Sequence, residues 1–171
     1  VSLVVADGLG DQRIDNISIY DVGKSSSRVD RFIFSTRKVL SQALKLESDI
    51  YHLHDPELIP TGIKLKNMGK KVVFDAHEDL PKQLLTKPYL NKFSRIIISK
   101  LFEYYEKYSC AKFDYIITAT PSIRDKFLSI NPKCLDINNY PIIGELDKGI
   151  TWKERKWSTS LVYKSRNLQT R

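Results

Sequence analysis

The segment Ile50-Tyr-His-Leu-His-Asp-Pro-Glu57 decides the fold, and Val72-Val-Phe-Asp-Ala-His-Glu-Asp79 follows it with the same order of features. Each segment begins with an apolar run that predicts a buried strand. Each continues with histidines and carboxylates, and then with a proline and a helical pattern. In an open α/β sheet, ligands bind beyond the carboxyl ends of the strands. We therefore expect both clusters to converge on one crevice.

Apolar and β-branched runs along the chain predict six strands. They are Val1–Ala6, Ile17–Val22, Asp49–Leu53, Val72–Asp75, Tyr115–Thr118 and Cys134–Ile137. Helical patterns lie between them, the first over residues 30–46 with Phe32, Val39, Ala43 and Leu46 on its apolar face. This alternation predicts an α/β, Rossmann-like domain with a mostly parallel sheet and helices on both faces.

Capping residues and prolines mark three of the predicted helix starts: Asp55-Pro56, Asp79-Leu80-Pro81 and Thr120-Pro121. A cap side chain satisfies free helix N–H groups, and proline suits the first helical turn. Because Pro60 removes a backbone donor, we expect the helix after Asp55 to begin later than Pro56.

Composition and charge divide the chain into a domain at 1–150 and a basic tail at 151–171. The tail carries six basic residues and one acid, which is +5 of the net charge of +8. We therefore expect a disordered or unrelated tail and no nucleic-acid partner. Cys110 and Cys134 form no metal or redox motif, so we expect two buried, reduced thiols.

The longest helical pattern covers residues 90–112. Its apolar face contains Ile97, Leu101, Tyr104, Tyr105 and Tyr108. We expect this face to pack on the core. The alternative is that this basic amphipathic helix lies on an anionic membrane.

His77 is the strongest functional candidate, because it has no role as a helix cap. His54 occupies the corresponding position after the preceding strand. An imidazole at such a place donates or accepts a hydrogen bond and transfers protons near neutral pH. We expect His52 to point away from His54, since side chains alternate along a strand, and to serve in packing. Asp55 has the alternative role of a helix cap.

A metal site is an alternative interpretation of the two clusters. The patterns His-x-His-Asp and Asp-x-His-Glu supply enough ligands for a zinc-dependent or two-metal hydrolase. The sequence contains no glycine-rich phosphate loop of either standard kind and no Gly-x-Ser-x-Gly motif. The preferred interpretation has no metal ligands.

An ordered set of segments resembles the family 4 glycosyltransferases of the GT-B fold over residues 1–155. The segments are Val-Ala-Asp-Gly at 5–8, Asp-Val-Gly-Lys at 21–24, Asp-Ile-Tyr-His-Leu-His-Asp-Pro-Glu-Leu-Ile-Pro at 49–60, Lys-Lys-Val-Val-Phe-Asp-Ala-His-Glu-Asp at 70–79, Ile-Thr-Ala-Thr-Pro at 117–121 and Asn-Asn-Tyr-Pro at 138–141.

The resemblance implies a retaining sugar transferase that uses a nucleotide-sugar donor and no metal cofactor. Such enzymes have two Rossmann-like domains, and this chain resembles the N-terminal, acceptor-binding one. The resemblance assigns His77 as catalytic. It assigns substrate binding to His54, Asp55, Glu57, Glu78 and Asn139.

Relative to the family pattern, the first βα unit and the donor domain are not present in these residues. We therefore expect the chain to be inactive alone and the intact enzyme to act in polysaccharide biosynthesis. The implied acceptor is a sugar or lipid-linked glycan, and the implied location is the cytoplasm, at the inner face of the membrane. The alternatives are the metal-dependent hydrolase and a non-catalytic binding module.

Overall fold

The computed structural model describes residues 1–24, 36–88 and 91–138. The strands are β1 Ser2–Val5, β2 Gln12–Ile14, β3 Ile17–Asp21, β4 Ile50–Leu53, β5 Lys71–Ala76, β6 Tyr115–Thr118 and β7 Cys134–Asp136. The α-helices of the described ranges are α1 Thr36–Lys45, α2 Ile59–Asn67, α3 Leu80–Thr86, α4 Lys92–Cys110 and α5 Pro121–Leu128, and a 3-10 turn covers Pro56–Leu58. All six predicted strands are confirmed. Phe32, Asn139 and the tail at 151–171 lie outside the described residues.

The strands form a four-stranded parallel sheet in the order β4-β5-β6-β7 and a three-stranded sheet in the order β1-β3-β2. In the smaller sheet, β1 and β3 are parallel and β2 is antiparallel to β3. The predicted α/β fold with a mostly parallel sheet flanked by helices is confirmed. Strand β2 was not predicted, because its three residues are all exposed and show no alternation of apolar and polar side chains.

The helices begin near the prolines, as predicted, but only one of the three predicted capping residues makes a side-chain cap bond. Thr120 caps α5 by accepting a hydrogen bond from the Ile123 N–H at 3.4 Å. Asp55 and Asp79 occupy cap positions without a side-chain cap bond, so the prediction of a capping bond for them was wrong. Helix α2 begins at Ile59 with Pro60 in its first turn, as predicted.

The core lies on one face of the parallel sheet. Tyr51, Leu53, Val72, Phe74 and Ile116 are buried there. Their partners come from the helices and the segment after α4, and include Ala43, Leu65, Cys110, Phe113 and Phe127. These contacts place α1, α2, α4 and α5 on that face of the sheet. The predicted layer of helices on the opposite face stays a prediction. Cys110 is a buried free thiol and Cys134 a half-buried one.

Helix α4 contradicts the prediction for four of the five residues of its apolar face, whereas the fifth, Tyr105, is partly buried and packs against the core as predicted. Ile97, Leu101, Tyr104 and Tyr108 are 49–76% exposed. The residues that α4 buries are Ser99, Glu106, Ser109 and Cys110. Hydrogen bonds explain this choice, because Ser99 Oγ donates to the Pro81 carbonyl at 2.8 Å and Glu106 pairs with Lys126. In the described ranges, no helix has both the length and the apolar character to cross a membrane.

The turn at Asp7-Gly8-Leu9-Gly10 is held by a carboxylate at the end of β3. Asp21 accepts hydrogen bonds from the N–H groups of Gly8, Gly10 and Gly23 at 3.2, 2.9 and 2.9 Å. The bonds from Gly10 and Gly23 lower the pKa of Asp21 most. Gly8 has φ +79° and Gly10 has φ +81°, a conformation that glycine adopts without a steric penalty.

Candidate functional site

The candidate site lies beyond the carboxyl ends of β4 and β5. These strands are parallel neighbours, with Leu53 beside Phe74. His54 follows β4 directly and His77 follows β5, so the two imidazoles come together across the sheet. His54 Nδ1 lies 3.5 Å from His77 Nε2. The predicted convergence of the two clusters is therefore present in the structure.

Asp75 is the centre of the site. Its Oδ2 lies 3.3 Å from His54 Nδ1, 3.3 Å from His77 Nε2 and 3.6 Å from His52 Nε2. The carboxylate side chain is only 11% exposed, whereas the three imidazoles are 42–55% exposed. We call Asp75 and these three histidines the histidine cluster. One buried carboxylate thus faces three ring nitrogens that are open to solvent on their other side.

The prediction that His52 points away from His54 was wrong. Side chains alternate along an extended strand, so residues two positions apart share a face. The His52 and His54 rings stack with their centroids 4.5 Å apart. The His54 and His77 rings are nearly parallel, with an angle of 9° between their planes and with centroids 5.8 Å apart.

The environment of His52 favours the neutral imidazole. Loss of solvation and the neighbouring His54 both lower the pKa of His52, and Asp75 only partly opposes them. A neutral imidazole has one N–H donor and one acceptor nitrogen. Because a carboxylate only accepts, each ring that bonds to Asp75 does so through its N–H. In a neutral ring, an N–H that donates to Asp75 leaves the other nitrogen as an acceptor.

A cavity of about 270 Å³ opens beside the histidine cluster. Its polar lining comes from His54, Asp55, His77, Glu78 and Glu106. Four of the sequence-predicted site residues are thus brought to one cavity. Glu57 is half-buried in the 3-10 turn and is not part of the lining. Asn139 lies outside the described residues.

Glu106 comes to the cavity from α4 and is 2% exposed. Burial raises the pKa of Glu106, and the Lys126 ammonium, 2.5 Å from Glu106 Oε2, opposes that rise. Lys126 also contacts Asp79 Oδ1 at 2.9 Å, and Lys82 contacts Asp79 Oδ2 at 2.9 Å. Asp79, expected as a helix cap, is instead a member of this ionic network.

Sequence reasoning named Asp75 only among the ligands of the alternative metal site, and it did not name Glu106 at all. Asp75 had a usable signal, because it is the charged residue within Val72–Ala76, whose other residues are apolar. Buried carboxylates are rare unless they are paired. Glu106 had none, since it is one of several charged residues in a long helix and lies 29 residues after His77.

The arrangement supports two kinds of chemistry. Imidazoles and carboxylates around a polar cavity donate and accept hydrogen bonds, which suits a polyhydroxylated ligand. Nitrogen and oxygen donors that meet at one point also suit a metal ion. His52, His54 and Asp75 each place one such atom within 4.8 Å of the others.

Comparison with known proteins decides the family. No curated protein matches the chain. A family model described as Glycosyltransferase Family 4 matches residues 2–134, more than three quarters of the 171 residues. The match contains every described residue of the histidine cluster and of the cavity lining. The chain belongs to glycosyltransferase family 4.

Proposed function

We propose that this domain binds the acceptor in a retaining transfer of sugar from a nucleotide-sugar to a glycan or lipid-linked acceptor. The reaction would serve polysaccharide biosynthesis on the cytoplasmic side of the membrane. The observation that carries the proposal is the meeting of His54 and His77 on Asp75 beside a polar cavity. Polar groups that converge on such a cavity are typical of ligand-binding sites.

His77 has the central role in the proposal. Its Nε2 faces Asp75, so a neutral ring keeps Nδ1 as an acceptor for a hydroxyl of the incoming sugar. Holding that hydroxyl orients the acceptor, and the same ring lies where charge develops on the donor sugar. His54, Asp55 and Glu78 bind further hydroxyls from the cavity walls. Glu57 and Asn139 remain proposed contacts on the basis of the family resemblance.

The nucleotide-sugar is a co-substrate in this proposal, and the resemblance assigns its binding mainly to a second domain. The proposed reaction needs no metal cofactor. We therefore expect the 171-residue chain by itself to show no turnover, and to bind acceptor glycans without donor. Glycan-array binding and a donor-consumption assay on the purified chain measure the two properties separately.

The central test exchanges His77 for alanine. In a complete family 4 enzyme with the same cluster, we expect His77→Ala to lower kcat/KM about 100-fold or more, since positioned polar groups contribute at this scale. In the 171-residue chain the same exchange should weaken glycan binding. Asn67→Ala, an exposed change at the end of α2, is the control. Unchanged turnover would exclude the role of His77, and glycan binding without turnover in the complete enzyme would favour a binding module.

A metal-dependent hydrolase is the second candidate, and the geometry of the donors favours it. Ligands on a tetrahedral zinc with bonds of about 2.0–2.1 Å are about 3.3 Å apart. The three distances among His54 Nδ1, His77 Nε2 and Asp75 Oδ2 are 3.3, 3.3 and 3.5 Å. In that case the cluster would hold the ion, and a bound water would be the nucleophile.

Zinc titration of the metal-free chain separates the two candidates. One equivalent bound in the wild type and lost in His54→Ala would favour the hydrolase. The transferase proposal expects no stoichiometric binding. A titration of Asn67→Ala controls for weak surface sites.

A further inference from the structure

Helix α4 carries apolar side chains on its solvent-facing side. Phe93, Ile97, Leu101, Tyr104 and Tyr108 are 78, 49, 66, 76 and 53% exposed. At 3.6 residues per turn they lie within about 40° of one direction along the helix. We call these five residues the exposed stripe.

The fully buried residues of the same helix are mostly polar, and Phe102 and Tyr105 are partly buried against the core. Ser99, Glu106, Ser109 and Cys110 are between 0 and 5% exposed. Helix α4 thus leaves most of its large apolar side chains exposed to solvent, unlike a helix that packs its whole apolar face on the core. Exposed contiguous apolar surface of this kind marks an interaction site.

Charge next to the exposed stripe indicates which partner it contacts. Lys100 and Lys107 lie along one border of the stripe, Lys92 begins the helix, and Lys112 follows its end. All four are exposed. The Lys112 ammonium lies 3.8 Å from the centre of the Tyr108 ring, so positive charge reaches the stripe itself. Within α4 the exposed acid is Glu103, which pairs with Lys100 at 3.0 Å.

We propose that α4 docks this domain on a membrane surface containing anionic lipids. Apolar side chains enter the boundary between headgroups and acyl chains, and the lysines contact the headgroups. A second copy of the chain is a poorer partner, because helix pairing would bring Lys100 and Lys107 against the same positive border. The segment 151–171 is also a poorer partner, since it carries five net positive charges itself.

Docking through the exposed stripe has a consequence for the cavity. Glu106 lines that cavity from the buried side of α4, opposite the stripe. The cavity then lies about one helix diameter, roughly 10 Å, above the membrane surface. A lipid-linked acceptor would suit that position. This statement about the acceptor rests on the proposed function, whereas the proposal that α4 docks on a membrane does not depend on it.

The test is sedimentation of the 171-residue chain with lipid vesicles. We expect it to sediment with phosphatidylcholine vesicles containing about 30% phosphatidylglycerol, and not with phosphatidylcholine alone. The bound fraction should fall when salt is raised from about 0.05 M to 0.5 M, because screening weakens charge attraction. Leu101→Asp should reduce binding to anionic vesicles about fivefold or more.

Matched variants separate the stripe from general effects. Leu9→Asp changes a leucine that is 72% exposed in the Asp7–Gly10 turn and should bind like the wild type. Lys100→Glu/Lys107→Glu should lose binding, whereas Lys38→Glu/Lys45→Glu, the same charge change on exposed lysines of α1, should retain most of it. Tyr104→Ser provides a second stripe variant, and circular dichroism checks that each protein is folded.

Three results would overturn the inference. The first is absence of wild-type binding to the anionic vesicles. The second is equal binding by the stripe variants and their controls. The third is a wild-type dimer in light scattering that Leu101→Asp dissociates, which would assign the exposed stripe to self-association. None of these outcomes depends on transferase turnover, so failure here and failure of the proposed function are distinguishable.

Discussion

Asp75 is the residue that contacts all three imidazoles of the histidine cluster. The sequence pattern pointed mainly to the histidines. The carboxylate is 8% exposed as a residue and meets three ring nitrogens at 3.3–3.6 Å. Charge on more than one of these rings at a time is opposed by their mutual repulsion. The three imidazoles share this one acidic partner.

The lowered pKa of His52 makes the stability of the domain depend on pH. Burial and His54 hold this pKa below its ordinary value of 6.5, so between the two pKa values the unfolded chain binds a proton that the folded chain does not. The contribution of His52 to stability is present above pH 6.5 and is lost as pH falls through the folded-state pKa. Urea unfolding of the wild type and His52→Gln at pH 7.5 and 5.5 measures it.

We expect the wild type to lose more stability than His52→Gln between these two pH values. The substitution His52→Gln keeps a polar side chain of similar size but removes the titration. Equal losses in both proteins would contradict the assignment. Lys38→Gln, a change of an exposed residue on α1, controls for general charge effects.

The sequence predicted which side chains lie close together where their positions at the ends of strands determine this. His54 and His77 were placed correctly because both follow strands whose carboxyl ends meet. His52 was predicted to point away from His54, whereas the two rings share a face of the strand and stack on each other. Asp75 was named only as a ligand of the alternative metal site, because its contact with all three imidazoles depends on neighbours from two strands.

Helix α2 packs closely against β4 and against the segment after α4 at Gly62, which has no side chain. A Cβ at Gly62 would lie 2.6 Å from Leu53 Cδ1 and 2.8 Å from Phe113 Cζ. Contacts below 3.0 Å force the neighbours to move, and both are buried core residues. The close approach of α2 therefore requires glycine here.

We expect Gly62→Ala to lower the free energy of unfolding by about 1–3 kcal/mol, the usual cost of an overpacked core. Alanine has the higher helix propensity by about 1 kcal/mol, so propensity alone predicts the opposite sign. Asn67→Ala, at the exposed end of the same helix, tests propensity without the clash. Urea denaturation gives both values, and a stabilised Gly62→Ala protein would refute the packing argument.

The spacing of apolar residues predicted where helices form better than it predicted which face of a helix is buried. The apolar residues of α4 were found at helical spacing, which correctly predicted a helix. Spacing shows that residues share a face but not which face is buried. In α4 the buried face was decided by Ser99 and Glu106, whose partners Pro81 and Lys126 lie far away in sequence.

At the scale of the whole domain, Lys126 joins three parts of the structure. From α5 it contacts Glu106 on α4 and Asp79 before α3. Asp79 is 47 residues away in sequence, so no local pattern predicts the contact. Removing one partner of a buried ion pair leaves an uncompensated charge, which is costly in the interior.

We expect Lys126→Met to destabilise the domain by about 3 kcal/mol at pH 7. Burial raises the pKa of Glu106 in the fold, and loss of Lys126 removes the charge that opposes this rise. The unfolded chain then ionises Glu106 at a lower pH than the folded one, so the penalty grows as pH rises. Urea unfolding at pH 5 and pH 7 measures the difference.

The double variant Lys126→Met/Glu106→Gln provides the control for that experiment. Because it carries no buried carboxylate at position 106, its unfolding free energy should exceed that of Lys126→Met at pH 7. A cost that is the same at both pH values and persists in the double variant would show that Lys126 acts through packing alone.

Strand β5 pairs with a neighbour on each side and buries Val72, Phe74 and Ala76. Amide protons in such a central strand exchange with solvent chiefly when much of the domain unfolds, which is rare. Amide protons in loops and at chain ends exchange through local openings, which are frequent. Asp75 is therefore anchored in the slowest-opening part of the domain, while His54 and His77 project from the strand ends. The loops around the cavity can adjust to a ligand while the negative charge that orients the imidazoles keeps its place.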